Sequence, residues 1–72
     1  MTLKDKVLSY LPNKYKDRLG DIEQADDLID GCKYIVYTSD DYEFEDGGNS
    51  LPCRSIGEVI YFIKNSTIPK SR

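Results

Sequence analysis

Residues 32–45 read Cys32-Lys33-Tyr34-Ile35-Val36-Tyr37-Thr38-Ser39-Asp40-Asp41-Tyr42-Glu43-Phe44-Glu45, and the fold class turns on them. The first seven are dense in β-branched and aromatic side chains, which suit a pleated, half-buried surface, and they make the best strand in the chain. Tyr42-Glu43-Phe44-Glu45 alternates ring and carboxylate, so one face turns inward and the acids face water. Ser39-Asp40-Asp41 between them has the composition of a tight hairpin turn. Two strands alone are marginal in water, so other elements must complete the sheet.

Downstream, Asp46-Gly47-Gly48-Asn49 makes a second turn, and Leu51-Pro52-Cys53 suits a short edge strand, where the missing proline donor is tolerable. Ser55-Ile56-Gly57-Glu58 has the spacing of a capping box, in which Glu58 also reaches back to the Ser55 amide. Ile56, Val59, Ile60 and Ile63 then recur at helical spacing, and Phe62 widens the stripe. Lys64 suits the last turn, Asn65 a left-handed end, and Pro69 lies beyond. The spacing predicts a helix over 55–65.

Upstream, Thr2-Leu3-Lys4-Asp5 opens a helix carrying Leu3, Val7, Leu8 and Leu11 on one face. Pro12 either ends that helix or begins another, and Leu11, Tyr15 and Leu19 continue the spacing. Residues 20–30 admit two readings. One is a strand at Gly20–Ala25 followed by a loop at Asp26–Gly31; the other is a helix from Asp21 to Asp30. The need for a third strand favours the first. The expected fold is a single α+β domain over 1–72, in two layers. It has a helical segment at 1–19, a meander of about three antiparallel strands within 20–54, a C-terminal helix at 55–65 on the sheet, and a tail at 66–72.

A chain of 72 residues buries only about 60% of its unfolded surface, so its stability depends on good packing. At 39% hydrophobic and 11% aromatic it is too apolar for a disordered tail. No stretch approaches the roughly 18 apolar residues of a membrane span. Met1-Thr2-Leu3-Lys4-Asp5-Lys6 has no apolar run behind its lysines. The expectation is a cytoplasmic protein. A Cys32–Cys53 disulfide would close a loop of about twenty residues and add roughly 3 kcal/mol, but a reducing compartment favours two free thiols.

The chain has no histidine, hence no general base with an ordinary pKa near neutrality and no Ser-His or Cys-His nucleophile pair. It has neither a dinucleotide-binding glycine cluster nor a phosphate-loop lysine. The carboxylates at 41, 43 and 45 resemble a calcium loop only until Asp46 and Pro52, which stand where the loop needs its glycine and its bidentate Glu. The reading is a non-enzymatic protein with no cofactor and no metal.

Charge is the informative remainder. From Leu19 to Asp46 there are ten acids and one base, Lys33, whereas residues 1–18 have five bases against two acids and residues 47–72 four against one. The net charge of −3 conceals that separation, which governs encounter with charged partners. The candidate interaction surface is Asp40, Asp41, Glu43, Glu45 and Asp46, with Tyr37 and Tyr42 as aromatic anchors. Alternate carboxylates in a strand stand about 6.5–7 Å apart, a row able to occupy a basic cleft that otherwise takes phosphates.

The segment from Asp30 to Ser66, DGCKYIVYTSDDYEFEDGGNSLPCRSIGEVIYFIKNS, resembles the small acidic proteins common in phage, prophage and plasmid genomes. That resemblance implies a non-enzymatic accessory protein, one that binds and inhibits a host factor, and it assigns no residue a role. The leading expectation is therefore an acidic module for a basic, nucleic-acid-binding protein. Two alternatives stand beside it: direct nucleic-acid binding through Lys4, Lys6, Lys14, Lys16 and Arg18, and a self-associating structural protein, such as a homodimer, joined through an exposed sheet edge or helix face.

Overall fold

The computed structural model describes residues 2–25 and 31–70. It has the expected α+β architecture. Helix α1 spans Leu3–Tyr10, the single turn α2 Asn13–Lys16, strand β1 Leu19–Gln24, β2 Tyr34–Thr38, β3 Tyr42–Phe44, β4 Ser50–Cys53, helix α3 Ile56–Asn65 and strand β5 Thr67–Pro69. Strands β1, β2 and β4 form an antiparallel sheet in that order, and β3 pairs antiparallel with β5 in a separate two-stranded ribbon. The strand reading of 20–25 holds for β1, while the loop expected over 26–31 lies, for residues 26–30, outside the described residues.

The hairpin expected across Ser39-Asp40-Asp41 is not formed by strand pairing. The turn itself exists, with the Tyr42 amide donating to the Ser39 carbonyl at 3.1 Å. However, β2 is the most apolar strand and occupies the sheet centre, with β1 on one edge and β4 on the other. A strand has only two hydrogen-bonding edges, so β3 must find another partner. It finds residues 67–69, which were expected to be tail and instead form β5.

Helices α1 and α3 cover one face of the larger sheet. The row Ile22–Val36–Leu51 faces them, and the core consists of Val7 from α1 and Leu11 at its C-cap, Val59 and Ile63 from α3, and Leu19, Ile22, Val36, Phe44 and Cys53 from the strands. Alternation leaves the rows Glu23–Ile35–Pro52 and Asp21–Tyr37–Ser50 on the opposite, open face. Pro52 lies in an edge strand with one neighbour, where its lack of an N–H removes no ladder bond.

The caps follow local chemistry. Thr2 Oγ1 accepts from the Asp5 amide at 3.1 Å, and the Asp5 carboxylate accepts from the Thr2 amide, a complete capping box. Ser55 Oγ accepts from the Glu58 amide at 3.2 Å, but the Glu58 carboxylate accepts from Arg54 rather than Ser55, at 2.9 Å. Asn65 remains in α3, its side-chain amide donating to the Tyr61 carbonyl at 3.0 Å, and Ser66 ends the helix at a negative φ of −123°. Pro12 does both things considered: Leu11 turns extended before it, and α2 starts after it.

One backbone feature decides how β1 meets the core. Leu19 and Ile22 are both buried, at 4% and 6% exposure, although residues three apart in a regular strand face opposite ways. A bulge between Leu19 and Asp21 resolves the conflict, with Gly20 as the extra residue. A Cβ on Gly20 would strike the Thr38 carbonyl, lying 2.7 Å from its carbon and 3.0 Å from the Ser39 nitrogen. Both are backbone atoms and cannot rotate aside. Gly20→Ala is expected to cost about 2–3 kcal/mol, read as a lower urea midpoint at unchanged slope; a change within about 0.5 kcal/mol would contradict this account of the bulge.

Candidate interaction surface

The seven expected residues divide between two places. Asp40 and Asp41 occupy the exposed turn before β3, Glu43 is half-buried within it, and Glu45 and Asp46 are exposed in the turn after it. Strand β3 ends at Phe44, one residue earlier than expected, so Asp41 and Glu43 share the outer face while Glu45 already belongs to the turn. Tyr37 is not part of this group. It lies on the open face of the larger sheet, opposite Asp21.

The acidic ribbon has a fixed backbone. The Lys70 amide donates to Asp41 O at 2.9 Å and the Glu45 amide to Ser66 O at 2.8 Å, extending the β3–β5 ladder beyond both strand ends. Two further bonds close the Glu45-Asp46 turn: Gly47 N to Phe44 O and Phe44 N to Gly48 O, each 2.8 Å. Gly47 has φ +97°, a conformation costly for residues with a Cβ. The Asn49 side-chain amide ties this loop to both neighbours, donating to Thr38 Oγ1 at 2.9 Å and to Tyr42 O at 3.2 Å. The carboxylates therefore stand on a preorganised frame.

The register also sets their local electrostatics. Extending the Tyr42–Pro69 pairing by one step places Lys70 opposite Asp41, an opposite-charge pair, whereas Ser66 stands opposite Glu45. Phe44, Glu45, Asp46, Leu51, Phe62 and Ser66 line a pocket of about 230 Å³ at that end of the ribbon. Sequence reasoning missed this pocket because its walls come from β3, β4 and the end of α3, and only tertiary packing brings them together.

Both tyrosines considered as anchors have partners within the fold. The Tyr42 ring lies 5.1 Å from the Arg18 guanidinium carbon, and Tyr15 covers the other contact of that group at 4.9 Å. The Tyr37 hydroxyl donates to the Glu23 carboxylate. Asp21 and Glu23 thus form a second acidic locus, around Tyr37 and Ile35 on the open sheet face. Their strand was ambiguous in sequence, so this juxtaposition was not legible there.

Of the basic residues considered for nucleic acid, Lys6, Lys14 and Lys16 are exposed, Lys4 is half-buried, and Arg18 is occupied between its two rings. Among the described residues no group of three or more Cys, Asp or Glu comes together as a metal site. No helix among them is long and apolar enough to cross a membrane. Comparison with family models, curated proteins and solved structures gives no match to the chain.

Two titrations report on this chemistry. The hydrogen bond to Glu23, then burial, then the charges of Glu23 and Asp21 raise the Tyr37 pKa above its ordinary 10.0. A raised pKa means the folded state holds the proton longer. The associated stability is whole below pH 10.0 and is lost as pH rises through the folded value. Phenolate absorbance is expected to show one late-ionising tyrosine in the native chain, absent in Tyr37→Phe and shifted to lower pH in Glu23→Gln. A native absorbance titration with no late component, or one that Tyr37→Phe leaves unchanged, would contradict it.

The thiols differ likewise. Both are free, Cys32 half-buried and Cys53 buried. Burial, with smaller contributions from Glu58 and Cys32, pushes Cys53 up from 9.0 to about 12. Its protonated form gains stability that is full below pH 9.0 and is lost as pH approaches 12. An aromatic disulfide reagent at mildly alkaline pH is expected to titrate Cys32 quickly and Cys53 only at the unfolding rate. Equal rates would refute the difference.

Proposed function

We propose that this chain is a small non-enzymatic interaction module that presents the acidic ribbon to a protein with a basic, nucleic-acid-binding surface. The observation that carries the reading is the fixed ribbon: Asp40, Asp41, Glu43, Glu45 and Asp46 lie along one short strand and its two closed turns. Clustered like charge on a rigid frame steers encounter with a basic surface and adds little or nothing to folding. An accessory role of the kind implied by the resemblance to phage and plasmid proteins accords with this reading.

The experiment is retention of proteins from a nuclease-treated bacterial lysate on the immobilised chain, beside a variant carrying Asp40→Asn, Asp41→Asn, Glu43→Gln, Glu45→Gln and Asp46→Asn. The native chain is expected to retain a basic protein that elutes between low and moderate salt, since exposed charge is screened over about 10 Å at 0.1 M. The neutral variant is expected to retain at most a tenth as much. Equal retention by both chains, or elution indifferent to salt, would refute the proposal.

A further inference from the structure

The pocket at the end of the acidic ribbon carries the argument one step further, and this step rests on the acidic-surface reading above. Its volume, about 230 Å³, falls below the roughly 300–1,000 Å³ of small-molecule sites. It suits a single side chain better than a metabolite. Phe44, only 1% exposed, and the half-buried Leu51 and Phe62 supply its apolar wall. Ser66 and the two acidic residues Glu45 and Asp46 complete the lining. An apolar slot with two adjacent anionic groups asks for a guest with an apolar stem and a cationic head.

We infer that this pocket receives an arginine side chain of the basic partner, with its methylenes against Leu51 and Phe62 and its guanidinium at Glu45 and Asp46. Charge complementarity favours this end of the ribbon. Lys70 stands opposite Asp41 at the far end, whereas the residue opposite Glu45 is the uncharged Ser66. Arginine fits better than lysine. Its planar fork matches carboxylates in pairs, and its weak hydration lets it lie against aromatic rings. The protein uses the same chemistry internally, where Arg18 contacts Tyr15 and Tyr42. The slot is also held open by backbone bonds at Glu45, Gly47 and Ser66, so binding an arginine need not order the loop first.

The test compares two fluorescent nonapeptides of equal charge, one of arginine and one of 2-amino-3-guanidinopropionate, whose stem is two methylenes shorter. Binding to the native chain is followed by anisotropy at low salt and by methyl and aromatic NMR. The arginine peptide is expected to bind roughly tenfold more tightly, the effect of burying two further methylenes, and to move the Leu51 methyl and Phe62 ring signals. Glu45→Gln with Asp46→Asn is expected to weaken arginine binding more than Asp40→Asn with Asp41→Asn, at equal loss of charge. Ser66→Leu, which fills the slot and keeps every charge, is expected to abolish the preference for the longer stem; the NMR readout on the native chain stands whether or not that variant folds. Equal affinity for the two peptides, or signal changes confined to the Asp40-Asp41 turn, would overturn the pocket and leave the acidic surface standing. Binding of neither peptide would overturn both.

Discussion

The guanidinium of Arg18, one residue before β1, anchors the two-stranded ribbon to the α2 turn. It lies 4.9 Å from the Tyr15 ring and 5.1 Å from the Tyr42 ring, and its Nη1 donates to Thr67 Oγ1 at 3.2 Å. Thr67 in turn donates to the Ile63 carbonyl at 2.7 Å. One side chain therefore joins the α2 turn, both strands of the ribbon and the last turn of α3. Its Nε is buried with no hydrogen-bond partner, a cost that the two ring faces offset. Cation–π contacts contribute about 0.5–2 kcal/mol each, and a hydrogen bond from a charged donor about 1.5–3. A domain of 72 residues has a total stability of roughly 4–11 kcal/mol. The Arg18 contacts are thus a large share of the margin, and they act where a two-stranded ribbon is weakest.

What the ribbon carries makes that anchoring intelligible. Carboxylates about 7 Å apart repel by roughly 0.6 kcal/mol in water before salt screens them. The repulsion is small for each pair but always unfavourable, and none of it is needed to bury Phe44 or to satisfy the β3–β5 ladder. Stability alone supplies no reason to gather acids here. On the proposed reading, the ribbon meets a basic surface with its charges already in position on a closed backbone frame.

Much of the fold was legible because its signals are local. The Thr2 and Ser55 caps, the stripe Val59–Ile60–Ile63, the β-rich run Tyr34–Thr38 and the edge position of Pro52 each depend on a few neighbouring residues. The failures are non-local. Whether Tyr42–Phe44 pairs with β2 depends on β2 having both edges filled already, by strands that precede and follow it. Residues 67–69 read as tail because Thr67-Ile68-Pro69 is too short to signal a strand until β3 needs a partner. Leu19 and Ile22 imitate helical spacing because the Gly20 bulge removes the period of two that marks a strand. The acidic surface was legible as charge, but its split was not. Tyr37 belongs with Asp21 and Glu23 by register, Tyr42 belongs to Arg18, and the pocket exists only where three distant segments meet.

The most direct measurement is amide hydrogen exchange on Arg18→Met, which keeps the apolar stem and removes the cation. The Glu45 and Lys70 amides, which close the ribbon onto Ser66 and Asp41, are expected to exchange at least tenfold faster than in the native chain. The Lys33 amide, bonded to Cys53 O at 2.9 Å within the larger sheet, is expected to slow or quicken only with global stability. That pattern would place the anchoring of the acidic ribbon on Arg18. Unchanged protection at Glu45 and Lys70, or a loss identical at all three amides, would contradict it.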